Sequence, residues 1–205
     1  YRSPEGWTPF ITRKSIIEVK DAPPVTLTLR WTENGPVLPG SHFGLDTVTA
    51  YMGHVQDNAA ESVRRVLERL PDSSEYAYPT DTGQTIKVKI TVDREKREAT
   101  VDFTGTSPVT KNNFNAPEPV ARAAVLYAFR VMVEDNIPMN AGCLRPINII
   151  IPHGCMLRPQ YPAAVVAGNV ETSQHVTNAM FAALGSLANA QGTMNNLTYG
   201  NEKYQ

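Results

Sequence analysis

The sequence predicts an α+β fold in which a β-hairpin and further short strands pack with about three helices. Three observations carry that expectation. Apolar residues step by three or four between Leu45 and Leu70, strict alternation runs through residues 84–93 and again through 98–104, and two further apolar stretches rich in alanine, 118–134 and 172–188, have helical length.

In chain order, residues 1–43 read as an irregular lead-in, interrupted by Pro4, Pro9, Pro23, Pro24, Pro36 and Pro39. Within it only Val25-Thr26-Leu27-Thr28-Leu29 alternates as a strand should. From residue 44 to 205 a single domain is expected. Leu45, Val48, Met52, Val55, Ala59, Val63, Val66 and Leu70 form one helical stripe between Gly44 and Pro71. Ile86, Val88, Ile90 and Val92 then alternate inward, Ala99, Val101 and Phe103 answer them, and the polar tip Arg94-Glu95-Lys96-Arg97 closes a hairpin with one buried face.

The helix over 118–134 carries Val120, Ala123, Ala124, Leu126, Tyr127 and Val131 around most of its circumference, which implies burial on more than one side. It stops near Pro138. Ile147-Asn148-Ile149-Ile150-Ile151 is a short strand between two prolines, and 163–167 is a further candidate strand. A third helix over 172–188 aligns Val176, Met180, Ala183, Leu184 and Leu187. The chain has no internal repeat and no low-complexity segment.

At 205 residues and 22.5 kDa, with 41% apolar and 19% charged residues and a mean hydropathy of −0.28, the chain can bury a real core. Nineteen Lys and Arg against 20 Asp and Glu give a net charge of −1, so no global field gathers nucleic acid or anionic lipid. The local basic groups Arg64, Arg65, Arg69 and Arg94, Lys96, Arg97 fall on a helix and a hairpin tip, where solvated faces are the ordinary outcome. Cys143 and Cys155, twelve apart without a CxxC spacing or a nearby His pair, are expected as reduced structural thiols. A run of about 18 apolar residues is absent, as is a basic-then-apolar leader at the start, and a cytoplasmic setting without membrane or nucleic-acid partners is the expectation.

The phosphate loop GxxxxGK[ST], the dinucleotide fingerprint GxGxxG, HExxH and the GxSxG elbow are all missing. What recurs instead is asparagine in loops: Asn112, Asn113 and Asn115, then Asn136 and Asn140, Asn169, and Asn195 and Asn196. Carboxamides donate and accept without charge and suit a small cyclic amide, but they equally close turns, so two readings stand side by side. Gly168-Asn169-Val170-Glu171-Thr172-Ser173-Gln174-His175 is sharper. Its glycine permits close backbone approach and a helix start favours an anion, while capping by Asn169 or Thr172 is the plainer alternative. His54 with Asp57 or Asn58 has a spacing that can hold a metal on one helix face, yet lacks a third ligand, so no metal site is assigned. Asp102 alternates outward from Val101 and Phe103, towards solvent or towards a site at the hairpin end.

Four ordered blocks resemble the hydantoinase B/oxoprolinase family: Val101 to Ser107, Asn113 to Glu118, Ala164 to Gln174, and Gly192 to Thr198. Tyr51-Met52-Gly53-His54-Val55-Gln56-Asp57-Asn58-Ala59 adds a fifth, so the likeness runs over about 44–200. The phrase Gln191-Gly192-Thr193-Met194-Asn195-Asn196-Leu197-Thr198-Tyr199-Gly200 is closest to the oxoprolinase branch. The resemblance implies ATP-driven hydrolysis of the lactam of 5-oxo-L-proline to L-glutamate. It also implies ATP and magnesium or another divalent metal bound mainly outside this segment, a hydantoinase A-like half as partner, and an oligomer. The substrate-lining residues expected on this basis are Asp102, Asn113, Asn115, Asn169, Glu171, Ser173, Gln174, Asn195 and Asn196, with no catalytic base assigned. Residues 1 to about 40 match nothing in the family, its upstream His/Asp metal motifs are missing, and a glycine-rich tail carried by relatives does not follow Tyr204-Gln205, so the segment alone is expected to be inactive. An N-methylhydantoinase or ketone carboxylase subunit, and a scaffold module without chemistry of its own, are the alternatives.

Overall fold

The structure, a computed structural model, describes residues 13–17, 25–32, 35–37, 44–187 and 202–203. The chain divides into two compact units, residues 1–58 and 59–205. In the first, β1 (Arg13–Ile17), β2 (Val25–Thr32) and β3 (Gly35–Val37) form an antiparallel sheet in that order. The sequence supports one strand here, and the structure has three. β2 runs longer than its alternating core and offers both edges, pairing Ser15 with Leu27 on one side and Trp31 with Pro36 on the other.

Helix α1 (Leu45–Leu67) crosses the division between the units. Within the second unit it buries Ala59, Val63, Val66 and Leu67. The apolar stripe continues to the buried Leu70, but the helix itself stops at Leu67. The last carbonyls of a helix have no partner of their own, and here the hairpin tip supplies one: Arg94 donates to the carbonyls of Glu68 (2.8 Å), Leu67 (3.3 Å) and Leu70, and its Nε donates to the Asp72 carboxylate at 2.7 Å. Arg97 donates to Glu61 (2.9 Å) and to Glu68 (2.8 Å), and its hydrogen bond holds the Glu61 carboxyl below its ordinary pKa. Half of the basic tip is therefore a clamp on α1.

The second unit is built on a four-stranded sheet, β4 (Ser73–Pro79), β5 (Thr85–Asp93), β6 (Glu98–Asp102) and β7 (Ile147–Ile150), in that order. The first three strands are antiparallel and β7 is parallel to β6. Parallel neighbours need a long crossover. Residues 103–146 provide it and contain α2 (Glu118–Val131). The register sets Ile90 against Val101 and Val101 against Ile149, so Ile86, Val88, Ile90, Val92, Ala99, Val101, Ile147 and Ile149 share the buried face. Helix α3 (Thr172–Leu184) covers β4, β5 and α2. Phe103, Phe129, Met156, Leu157 and Met180 fill the space between. Cys143 and Cys155 are buried, unpaired thiols.

The hairpin, both later helices and the 147–150 strand fall where the sequence puts them. Strand β4 has no counterpart in the sequence reading, because Ser73, Glu75, Tyr76 and Ala77 are exposed and supply no buried alternation. Residues 163–167 are not a strand: 166–169 form a 3-10 turn that leads into α3. α2 ends at Val131, and α3 ends at Gly185, whose φ of 60° is a left-handed stop that glycine adopts at little cost, leaving Leu187 exposed. α2 buries Ala121, Ala124, Val125, Ala128 and Phe129 but leaves Ala123, Tyr127 and Val131 exposed, so in this chain it is covered on one side.

Candidate functional site

Two of the asparagine-bearing blocks meet. The loop over 110–117, after the hairpin, lies against the segment over 163–172 that enters α3, and the contact is made through backbone. The Ala167 amide donates to the Asn113 carbonyl at 3.0 Å, and the Thr172 hydroxyl donates to the Phe114 carbonyl. A β-carbon built on Gly168 would stand 2.2 Å from the Asn115 carbonyl oxygen and 2.7 Å from the Ala116 α-carbon, so only glycine fits. The close approach that Gly168 permits is to the chain itself.

Asn115 is the centre of this knot and is fully buried. Its Oδ1 accepts from the Thr110 amide (2.8 Å) and the Thr110 hydroxyl (3.2 Å), and its Nδ2 donates to the carbonyls of Ala164 (2.9 Å), Thr110 (3.0 Å) and Asn112 (3.1 Å). Its hydrogen-bonding capacity is taken up within the chain. Asn112 closes the neighbouring turn by accepting from the Phe114 amide at 3.1 Å and from the Thr110 hydroxyl.

The other sequence candidates take different places. Asn113 and Asn169 are exposed on either side of the knot. Glu171, Ser173 and Gln174 are half-buried in the first turn of α3, and the Ser173 hydroxyl donates to the Asn169 carbonyl at 3.0 Å. Neither Asn169 nor Thr172 caps α3: the cap position is Glu171, without a side-chain bond. Asp102 sits at the end of β6 and accepts from the Thr104 amide at 2.8 Å. Asn195 and Asn196 lie outside the described residues. His54 and Asp57 are exposed on α1, and among the described residues no three His, Cys, Asp or Glu side chains come together to hold a metal. The described side chains therefore do not by themselves make a site for a divalent cation.

One further group belongs to this region. The imidazole of His175 stacks on the Tyr78 ring of β4 with centroids 5.3 Å apart and planes 27° apart. Burial pushes its pKa down, while Glu171 and Asp81 nearby pull the other way. The ring is thus wedged between α3 and the edge strand. Thr110 carried no signal in the sequence, and Asn112 and Ala164 stood out only as a loop asparagine and as the start of a family block, because their parts are backbone parts or turn parts.

A hydantoinase B/oxoprolinase family model matches residues 40–205. The chain belongs to this family. Among members of the hydantoinase B/oxoprolinase family, the 5-oxoprolinase of Dictyostelium discoideum is 44% identical over 171 residues, covering 79% of this chain and 13% of that protein. The 5-oxoprolinase 1 of Arabidopsis thaliana is 45% identical over 177 residues, covering 79% of this chain and 14% of that protein. The chain thus spans about 13% of the length of these two relatives. Among solved structures, the ATP-dependent caprolactamase from Pseudomonas jessenii shares the fold with a TM-score of 0.63 at 20% identity, over 71% of this chain and 26% of that one. A penicillin amidase model matches residues 1–68, the part where the sequence shows no family block before residue 44. Among the described residues no helix is long and apolar enough to cross a membrane.

Proposed function

We propose that this chain is a segment of an ATP-dependent cyclic-amide hydrolase of the 5-oxoprolinase type, which opens the lactam of 5-oxo-L-proline to L-glutamate. The observation that carries the reading is the 44% identity over 171 residues to a protein of that name. ATP and magnesium are assigned to other parts of the whole protein, with a hydantoinase A-like half as partner, in an oligomeric cytoplasmic enzyme of glutathione turnover. No step of the chemistry is assigned to side chains described here.

Within that enzyme the segment has two kinds of residue. Asn115, Gly168 and Thr172 make the frame, since their bonds and their space are used inside the chain. Asn113, Asn169, Glu171 and Gln174 stand along the edge of that frame, and we assign them to the substrate side, where neutral and singly charged groups suit a ring amide and its carboxylate. Steady-state kinetics of the full-length protein separates the two. Asn169→Ala and Gln174→Ala are expected to raise KM for 5-oxo-L-proline about tenfold with Tm unchanged, the loss of roughly 1.4 kcal/mol of binding. Wild-type kinetics in both variants would leave the segment as a scaffold only.

A further inference from the structure

The outer face of α2 carries an apolar stripe. Pro119, Ala123, Tyr127 and Val131 recur at steps of four, which sets them one above another on the helix. All four are exposed, Tyr127 at 46% and Val131 at 40%. Tyr127 touches Phe181 of α3 with ring centroids 6.2 Å apart, and the remainder of the stripe faces outward. Beside it lies a cleft of about 400 Å3 lined by Glu118, Pro119, Arg122, Ala123, Leu126 and Leu144. Single exposed apolar residues need no explanation, but a continuous stripe bordering an apolar cleft does.

The charged groups at its rim are hydrogen-bonded within the chain. Glu118 bonds Arg122 at 2.7 Å and Arg158 at 2.9 Å, and Arg130 donates to the Ile137 carbonyl at 3.0 Å. The opposite face of the same helix is buried through Ala121, Ala124, Val125, Ala128 and Phe129. Glu118, Arg122 and Arg130 are the only charged residues of α2, so its outer face is largely apolar as well, and an apolar helix face calls for cover.

The geometry points to an apolar element from the remainder of the full-length protein, docked along Pro119, Ala123, Tyr127 and Val131. This rests on the reading of the chain as a segment of a longer enzyme, and two observations favour that occupant over a second copy. The chain spans 13% of a close relative, and the same fold occupies 26% of the caprolactamase chain, so most of the protein is available to cover this face. The stripe is also too small for a dimer. Fourteen residues make a helix about 21 Å long, and one face of it presents on the order of 200 Å2, against roughly 800 Å2 per partner in a stable association. An element tethered in the same protein needs no such area, because its effective concentration is high.

The test compares the 205-residue chain with the full-length protein, each with and without Ala123→Glu and Val131→Lys, changes that keep helix propensity and suit the helix dipole. The docked face predicts that Tm of the full-length protein falls by about 4 °C or more while that of the 205-residue chain moves by under about 1 °C. Hydroxyl-radical footprinting of the unsubstituted proteins is the second measurement, and Tyr127 should be oxidised at least about fivefold more slowly in the full-length protein. Equal Tm shifts with equal Tyr127 oxidation would overturn the inference. So would a concentration-dependent dimer of the 205-residue chain that the two substitutions dissolve, since the occupant would then be a second copy. Neither measurement reads turnover, so failure of the proposed reaction leaves this result standing on its own.

Discussion

At Gly168 the fold depends on the absence of a single carbon. Gly168→Ala would force its methyl group into the Asn115 carbonyl and the Ala116 α-carbon, both backbone and unable to rotate away. A loss of about 3 kcal/mol or more is expected in urea unfolding, at the upper end for overpacked sites. Asn115→Ala acts by the opposite route: it takes their partner from the part-buried Thr110 amide and the Ala164 carbonyl and should cost about 1–2 kcal/mol. His175 gives the pH dependence. Burial lowers its pKa below the unfolded value of about 6.5, so its neutral form contributes stability that is fully present above that value and is lost as pH falls through the folded pKa. His175→Phe should therefore flatten the acid side of a stability-against-pH curve measured between pH 7 and pH 5, and an unchanged slope would remove His175 from the account. At this scale the sequence shows that Gly168 permits a close approach, but not to what. The partner is the backbone of Asn115 and Ala116, far earlier in the chain, and backbone leaves no mark in composition.

Between elements, the joint that matters most is that of α1 with the hairpin tip. Arg94 and Arg97 read as solvated charges because a single sequence shows a basic turn and not the helix end that faces it. In the fold, Arg94 donates to the carbonyls at and just past the end of α1 and Arg97 bridges Glu61 and Glu68. Arg94→Ala is expected to cost about 1–2 kcal/mol, discounted for its partial exposure. It should also speed amide hydrogen exchange over residues 64–70 before it affects the sheet. Uniform exchange across the unit would contradict a local clamp. The elements that were legible are those with a buried face and a clear period: α1, the hairpin, α2, α3 and β7. Strand β4 was not, since an edge strand with Ser73, Glu75 and Ala77 outward has no apolar rhythm to read. The 163–167 stretch has β-branched Val165 and Val166 but spends them in a turn whose course is set by the Asn115 and Gly168 contact.

For the molecule as a whole, the family blocks near 101–107, 113–118 and 164–174 turn out to be one construction. The first ends a core strand, the second is the loop that follows it, and the third packs on that loop through Gly168 and Thr172. Family identity was legible because side chains with fixed structural duties recur as a pattern, whereas the substrate-side roles proposed for Asn113, Asn169, Glu171 and Gln174 would be set by contacts with a ligand and not by the fold. We place the segment within a longer ATP-dependent lactam hydrolase. The most direct measurement is L-glutamate formed from 5-oxo-L-proline with ATP and magnesium, assayed in parallel for the 205-residue chain and the full-length protein. ATP-dependent turnover is expected from the full-length protein and none from the 205-residue chain. Turnover by the 205-residue chain alone, or none by the full-length protein with ATP present, would contradict it.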